Sequence, residues 1–159
     1  LYVAIAALAI ASFYPFSKRF TYLPQFILGI AFSMGIPMAF TAHQGSIPAV
    51  AWWLLGANLL WVVAYDTLYA MVDREHDLKI GIKSTAILFG RYDKLIVFLF
   101  GIASLMVLAY IGDRLNLNGY YYGGLMLAFM HLLFQQWLIK SNRNEDRFKA
   151  FLSNNWFGA

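Results

Sequence analysis

The acidic side chains best placed to act together lie in residues 65–90, which hold four of the eight acidic residues of the chain. If this stretch is helical, positions i, i+3, i+7 and i+11 share one face, because successive residues turn by about 100°. Those positions are Asp66, Tyr69, Asp73 and Asp77. Carboxylates crowded on one face resist full ionisation together unless a cation lies between them, and Mg²⁺ prefers such oxygen ligands. Asp73 and Asp77, one helical turn apart, are therefore predicted to bind the metal.

The basic residues near these carboxylates indicate a binding site for an anion. Lys79 and Lys83 follow Asp77 along the chain and could hold anion oxygens that the metal does not reach. Lys18 and Arg19 are the first charges of the chain, directly after an apolar segment. An arginine can hold a carboxylate or a diphosphate through two parallel hydrogen bonds. Acidic and basic groups together therefore predict a site for a Mg²⁺-diphosphate.

The composition places this site in a membrane protein. The chain is 61% hydrophobic and 13% charged, which is unusual for a soluble domain of 159 residues. The absence of cysteine excludes a disulfide framework, a thiol nucleophile and a zinc-thiolate site. No phosphate-binding glycine loop, nucleophile elbow or zinc-protease motif is present.

Five apolar segments are long enough to be predicted membrane spans. They cover residues 1–16, 24–42, 50–72, 95–112 and 119–139. Eleven of the twelve basic residues fall on alternate connections, which the positive-inside rule assigns to the cytoplasm. This topology accounts for the basic residues without nucleic-acid binding. The predicted fold is an all-α, polytopic transmembrane bundle with its carboxylates on the cytoplasmic side.

Several residues inside the predicted spans have a specific expected role. Asp66 lies at membrane depth, where an ionisable group is costly and usually marks function. Pro37 should kink the second span. The GxxxG pair formed by Gly119 and Gly123 is expected to pack closely against another helix. Asn58, two turns before Asp66, is a weaker candidate for a polar wall deeper in the cavity.

The sequence at both ends predicts that the chain is a fragment of a longer protein. Leu1 is not a start methionine, and the first residues are already apolar without the basic region of a signal peptide. The end, NNWFGA, stops where a new apolar segment would begin. Residues 1–159 are therefore expected to be a single membrane domain that is truncated at both ends.

The stretch YDTLYAMVDREHDLKIGIKSTAILFG resembles the second aspartate-rich motif of the UbiA-type intramembrane aromatic prenyltransferases, most closely the 4-hydroxybenzoate polyprenyltransferases of ubiquinone synthesis. YPFSKRFTYLPQFILGIAFSMGIPMAF and FKAFLSNNWFG are similar to further segments of these enzymes. The resemblance implies nine transmembrane helices around a cavity, with two aspartate-rich motifs that bind Mg²⁺ and the diphosphate. The first motif, N-D-x-x-D-x-x-x-D, is absent from this chain. The chain alone is therefore expected to hold half of the metal site and to be inactive.

The resemblance also implies roles for individual residues. Asp73 and Asp77 match the metal ligands, and Asp66 matches the acidic residue that opens the motif. Arg19 matches an arginine proposed to act at the aromatic substrate. Lys79 and Lys83 match the basic tail of the motif and would contact the diphosphate. Lys18 and Tyr69 are further candidates for contact with the diphosphate or its metal because of their charge and spacing, not because of the resemblance.

The implied reaction transfers a polyprenyl group from polyprenyl diphosphate to 4-hydroxybenzoate, at the ring carbon ortho to the hydroxyl. The implied location is the bacterial inner membrane, and the expected cavity is lined by Tyr, Phe and Met. Another quinone precursor or a haem remains open as the acceptor. The residues alone also leave open an ion-coupled transporter, which would place its acidic residues at the membrane midplane beside broken helices. A non-catalytic helical scaffold would leave the carboxylate face unexplained.

Overall fold

The computed structural model describes residues 2–156, and this part of the chain is helical without strands. Eight α-helices follow one another: α1 (Tyr2–Phe20), α2 (Pro24–Ser33), α3 (Gly35–Gln44), α4 (Ala49–Ile80), α5 (Thr85–Phe89), α6 (Asp93–Arg114), α7 (Gly119–Ile139) and α8 (Asn144–Ser153). Short 3₁₀ turns cover Gly90–Tyr92 and Asn154–Trp156. The all-α fold class predicted from the sequence is confirmed.

Three helical stretches are long and apolar enough to cross a membrane, judged by length and composition: Pro24–Gln44, Ala49–Ile80 and Thr85–Arg114. They contain the predicted spans 24–42, 50–72 and 95–112. The predicted spans 1–16 and 119–139 fall on α1 and α7, helices of 19 and 21 residues. Residue 1 lies outside the described residues. That α1 and α7 cross the membrane stays a prediction.

The kink predicted at Pro37 is present as a break between α2 and α3 at Met34. A proline has no N–H to donate, and its ring clashes with the carbonyl four residues earlier, which here belongs to Ser33. Asn58 of α4 donates from Nδ2 to the Oγ of buried Ser33, over 2.9 Å. Asn58 therefore ties α4 to the break in the second span.

The long helix α4 is the central element, and it packs against α2, α3, α5, α6 and α8. Its last apolar turns form the core together with residues from α5, α6, α7 and α8. The buried members of this core are Ala64, Leu68, Ala70, Met71, Ala86, Val97, Ile139 and Ala150. Because the core surrounds the second half of α4, the position of the carboxylate face is fixed by packing from several sides.

The interpretation of Gly119 and Gly123 as a helix-packing pair is wrong within the described residues. A Cβ atom built on either glycine meets no atom within 4 Å. Close approach between α6 and α7 occurs instead at Gly101 and Gly112, where an added Cβ would lie 2.9 Å from Leu132 and 2.5 Å from Tyr121. The contact therefore forms where large side chains of α7 fill the space left by α6 glycines.

Gly29 allows α2 to lie close to α4, and we expect a larger side chain there to destabilise the fold. An added Cβ would lie 3.4 Å from both the Leu59 carbonyl oxygen and the Val63 side chain. Gly29→Leu should lower the free energy of unfolding by about 1–3 kcal/mol through overpacking. Thermal unfolding of the intact protein measures the effect. Gly35→Leu is the matched control, since its Cβ meets no described atom within 4 Å, and equal losses for both variants would contradict the expectation.

The short helix α8 lies across the ends of α4 and α7. Its Asp146 accepts hydrogen bonds from the Ser141 hydroxyl (2.6 Å) and from Arg143 Nε (2.8 Å). Arg147 donates to the Met71 carbonyl oxygen of α4 over 3.3 Å. These contacts attach α8 beside the last turns of α4, where the carboxylate face lies.

The hydrogen bonds of Asp146 lead us to expect that the stability of the protein depends on pH. The Ser141 hydrogen bond, followed by the contacts with Arg143, lowers the pKa of Asp146 below its ordinary value of 3.8. A carboxyl with a lowered pKa stabilises the folded state above its unfolded pKa and loses this effect as the pH falls through its folded pKa. Asp146→Asn should therefore be less stable than the wild type at pH 7, and the difference should shrink below about pH 4. Melting curves against pH test this, with exposed Glu145→Gln as control; a constant difference at every pH would contradict it.

Candidate functional site

The candidate site lies on the last four turns of α4, which continues beyond the predicted span to Ile80. Asp66, Asp73 and Asp77 are thus all on one helix, and the predicted common face is preserved. The helix ends at Gly81, whose φ of 72° is left-handed, and the next N–H, of Ile82, donates to the Asp77 carbonyl oxygen over 2.9 Å. Two carboxylates close to a helix C-terminus oppose the helix dipole. Helix stability therefore does not explain their presence.

The carboxylates of this face form no ion pair in the described part of the chain, where the acidic partners of ion pairs are Asp93 and Asp146. Asp66 Oδ2 is buried and accepts no hydrogen bond. Asp73 and Asp77 are partly buried. A buried carboxylate oxygen without a partner is costly and indicates a group that binds there.

A second element, α1, brings a positive charge to these carboxylates. The Lys18 ammonium is close enough for its charge to act on Asp66, Asp77 and Tyr69. Tyr14, one turn earlier on the same face of α1, interacts electrostatically with the same three side chains. The Lys18 Nζ also lies 5.3 Å from the centre of the Tyr14 ring. The structure therefore brings Lys18 and Tyr14 to the carboxylate face.

Tyr14 was not among the candidates from the sequence. The available signal was its spacing, since a residue four positions before Lys18 must share its helix face. Arg19 lies about 100° further around α1, and its side chain is exposed. It is not among the charges that act on Asp66 or Asp77. Its role at the aromatic substrate stays a prediction.

The other two lysines are not brought to the carboxylates. Lys79 is exposed, and the helix geometry places it roughly 160° around α4 from Asp77. Lys83 contacts the end of α1 instead: its N–H donates to the Lys18 carbonyl oxygen (3.0 Å) and its Nζ to the Phe20 carbonyl oxygen (3.4 Å). The Lys83 ammonium also lies 5.2 Å from the Tyr22 ring centre. Lys83 thus joins the end of α1 to the segment after α4.

An aromatic row lies beside the carboxylate face. Trp61, Tyr65 and Tyr69 follow one another at intervals of four residues on α4, and the first two ring centres are 5.3 Å apart. Phe151 of α8 packs against Tyr65 (6.2 Å) and Tyr69 (5.1 Å). Tyr69 is 41% exposed and interacts electrostatically with Asp73. Phe151 was not predicted, because its contact with α4 spans some 80 residues of the chain.

Two cavities lie between the described helices. One of about 170 Å³ lies between α3, α4 and α6, where Asn58 and Trp61 line it beside Ile36. Another, of about 530 Å³, lies along α6 and α7 and includes His131. Asn58 therefore borders a cavity, but that this cavity continues to the carboxylate face stays a prediction. The larger cavity contains none of the predicted site residues.

The residues of this face fit a magnesium ion held together with a diphosphate. Within residues 2–156, no three His, Cys, Asp or Glu side chains come close enough to hold a metal by themselves. Mg²⁺, however, is commonly bound by one or two carboxylates with substrate phosphates and water as its other ligands. Among the described residues, Asp73 and Asp77 supply two carboxylates that form no ion pair, and the Asp66 oxygen without a hydrogen bond lies on the same face.

Comparisons with known proteins identify the family of the chain. The model of the UbiA prenyltransferase family matches residues 1–157. The chain is 57% identical over 151 residues to a 4-hydroxybenzoate octaprenyltransferase of Aliivibrio fischeri (strain MJ11), covering 95% of the chain and 52% of that protein. It is 54% identical over 158 residues to the protein of the same name from Serratia proteamaculans (strain 568), covering 99% and 54%. The chain thus spans about half the length of these curated relatives.

A solved structure shares the fold. The apo structure of a UbiA homolog from Aeropyrum pernix K1 matches 96% of the chain and 59% of its own chain, with a TM-score of 0.75 and 23% identity. At this identity the likeness concerns the fold alone. Together with the three apolar stretches, the match of the family model over nearly the whole chain shows that this is an integral membrane protein of the UbiA prenyltransferase family.

Proposed function

We propose that the protein transfers a polyprenyl group from polyprenyl diphosphate to 4-hydroxybenzoate in ubiquinone biosynthesis, with Mg²⁺ as cofactor. The observation that carries this proposal is the face of α4 on which Asp66, Asp73 and Asp77 form no ion pair with any described residue, while the charge of Lys18 of α1 acts on Asp66 and Asp77. The acceptor is inferred from the two relatives described above, both of which are named 4-hydroxybenzoate octaprenyltransferase.

Binding of the diphosphate would use charge from both helices. Asp73 and Asp77 would hold the metal, and Lys18 would contact diphosphate oxygens that the metal leaves free. When bound, Mg²⁺ supplies positive charge beside the leaving diphosphate and so favours cleavage of the allylic carbon–oxygen bond. Tyr69 lies between Asp66 and Asp73 and borders the same space. The arrangement is electrostatic and fixed before reaction, the condition under which such stabilisation is largest.

The reacting carbon would lie on the membrane side of the diphosphate. Asp66 is seven residues before Asp73, which places it about 10 Å deeper along α4. Its buried Oδ2 is free to accept the proton that the ring carbon loses when the new carbon–carbon bond has formed. The rings of Tyr65, Tyr69 and Phe151 border this region and can stabilise the developing allylic cation. The substrate carboxylate of 4-hydroxybenzoate is assigned to Arg19, whose guanidinium suits bidentate binding.

The location follows from the distribution of charge. Basic residues on alternate connections favour a cytoplasmic position for the carboxylates, and the bacterial sources of the relatives favour the inner membrane. Polyprenyl diphosphate has a charged head and an apolar tail. A site at the membrane surface would receive the head from the cytoplasm while the tail remains in the bilayer.

The proposal is tested with membranes that contain the intact enzyme, polyprenyl diphosphate, Mg²⁺ and a panel of aromatic acceptors. We expect a prenylated 4-hydroxybenzoate and release of diphosphate, both abolished by EDTA. A product only with another quinone precursor or a haem would contradict the assigned acceptor. Uptake of an ion-coupled solute without any prenylated product would favour a transporter and contradict the proposal.

A further inference from the structure

The connection between α4 and α6 is attached to α4 along a face next to the carboxylates. Thr67 and Arg74, seven residues apart, share this face, which lies roughly 80–100° around the helix from Asp66. The buried Thr67 hydroxyl is 2.7 Å from the Thr85 hydroxyl at the start of α5. The Thr85 N–H donates to Gln25 Oε1 of α2 over 3.0 Å. The first residue of α5 is thus fixed to two helices.

Arg74 fixes the other end of the connection. Its Nη2 donates to the Ala86 carbonyl oxygen (2.7 Å), to the Gly90 carbonyl oxygen (3.4 Å) and to the Asp93 carboxylate. Asp93 is 3% exposed, and its other carboxylate oxygen accepts the N–H of Lys94 over 2.6 Å, at the first turn of α6. One guanidinium therefore holds α5, the 3₁₀ turn and the start of α6 together.

The charge of Arg74 is not available to a diphosphate. Arg74 follows Asp73 directly but points about 100° away from it, towards Asp93. If it turned to a ligand, it would leave a buried carboxylate without its partner, which is strongly destabilising. Arg74 can therefore affect the diphosphate site only indirectly, through the connection between α4 and α6.

The connection in turn holds the end of α1. The N–H of Lys83 donates to the Lys18 carbonyl oxygen, and the Lys83 ammonium to the Phe20 carbonyl oxygen. Lys18 is the residue whose charge acts on Asp66 and Asp77. A continuous series of contacts thus runs from Arg74 through the connection to Lys18.

We propose that Arg74 and Asp93 are positioning residues of the diphosphate site, because they hold the α4–α6 connection that fixes the end of α1 and its Lys18 opposite the carboxylates. This inference rests on the proposed function. It identifies two residues that help to set the affinity of the site for polyprenyl diphosphate. It assigns no direct contact with substrate to either residue.

The test compares Arg74→Gln, Arg74→Lys and Lys18→Met, singly and combined, in the intact enzyme. Arg74→Gln should raise the KM for polyprenyl diphosphate about tenfold, a typical cost of losing a supporting partner, with kcat and the KM for 4-hydroxybenzoate little changed. Arg74→Lys should recover part of the loss. Arg74→Gln should have little further effect once Lys18 is Met, since the group that it positions is then absent. Arg91→Gln is the control, because the hydrogen bond and the cation–π contact of exposed Arg91, on the same connection, are both with its neighbour Tyr92.

A second measurement does not depend on activity. Spin labels on cysteines placed at Phe16 and Leu88, both exposed, report the distance between α1 and the connection. Arg74→Gln should broaden this distance distribution, and Arg91→Gln should not. Independent, multiplicative effects of Arg74→Gln and Lys18→Met on KM, or an unchanged distribution, would overturn the inference. Failure of the wild-type enzyme to transfer a prenyl group would overturn the proposed function instead, while the spin-label distance would still decide whether Arg74 holds the connection.

Discussion

Replacing Asp73 by Asn in the intact enzyme is expected to abolish Mg²⁺-dependent prenyl transfer. Asparagine keeps the size of the side chain but removes the negative charge that the metal requires. Loss of one preorganised electrostatic group commonly lowers kcat by about 10²–10³-fold, and Asp77→Asn should lie in the same range because the two carboxylates act on one metal. Initial rates against Mg²⁺ concentration measure the loss.

The matched control for both variants is Glu75→Gln. Glu75 lies between the two aspartates in sequence but about 160° around the helix from either, and its side chain is exposed. The same change of charge at this position should leave turnover within about twofold, as for surface substitutions away from special features. Near-normal turnover of Asp73→Asn, or an equal loss in Glu75→Gln, would contradict the assignment of the metal ligands.

Lys18→Met and Arg19→Met are expected to weaken the binding of different substrates, although the two residues are neighbours. Lys18 faces the carboxylates, so its loss should raise the KM for polyprenyl diphosphate by about 10–100-fold, the cost of one charge-assisted hydrogen bond of 1.5–3 kcal/mol. Arg19 lies on a different face of α1, and its replacement should raise the KM for 4-hydroxybenzoate by a similar factor. Steady-state kinetics with each substrate varied in turn separates the two effects.

The exposed Lys79→Met serves as the control for this pair, since it removes one positive charge from the same side of the membrane without a contact to the carboxylates. It should change neither KM by more than about twofold. A rise of the polyprenyl diphosphate KM with Lys79→Met but not with Lys18→Met would show that the bound substrate recruits the lysine that the structure places outside the site.

Local pattern was sufficient to predict the parts of the structure that depend on neighbouring residues. The common face of Asp66, Asp73 and Asp77 follows from helical spacing alone, and α4 shows it. The break near Pro37 follows from the missing N–H of proline and is likewise present. The predicted span 119–139 coincides with α7, because its apolar residues are bounded by loop residues at both ends.

Contacts between distant segments could not be predicted in the same way. The choice of Lys18 over Lys79 and Lys83 depends on how α1 lies against α4, which local spacing does not encode. The pairing of Arg74 with Asp93 was hidden because Arg74 resembled one more basic residue on a cytoplasmic connection. Gly119 and Gly123 were misread for a related reason, since a GxxxG spacing shows that a helix can be approached closely, but no other helix in the described part of the chain approaches it there.

The central claim is that Asp73 and Asp77 bind a diphosphate through Mg²⁺, and binding of a non-reactive thiolodiphosphate analogue to the intact enzyme tests it most directly. Titration calorimetry should show binding that requires Mg²⁺, is lost in Asp73→Asn and Asp77→Asn, and is retained in Glu75→Gln. Equally tight binding without Mg²⁺, or by Asp73→Asn in its presence, would contradict the claim and place the diphosphate elsewhere.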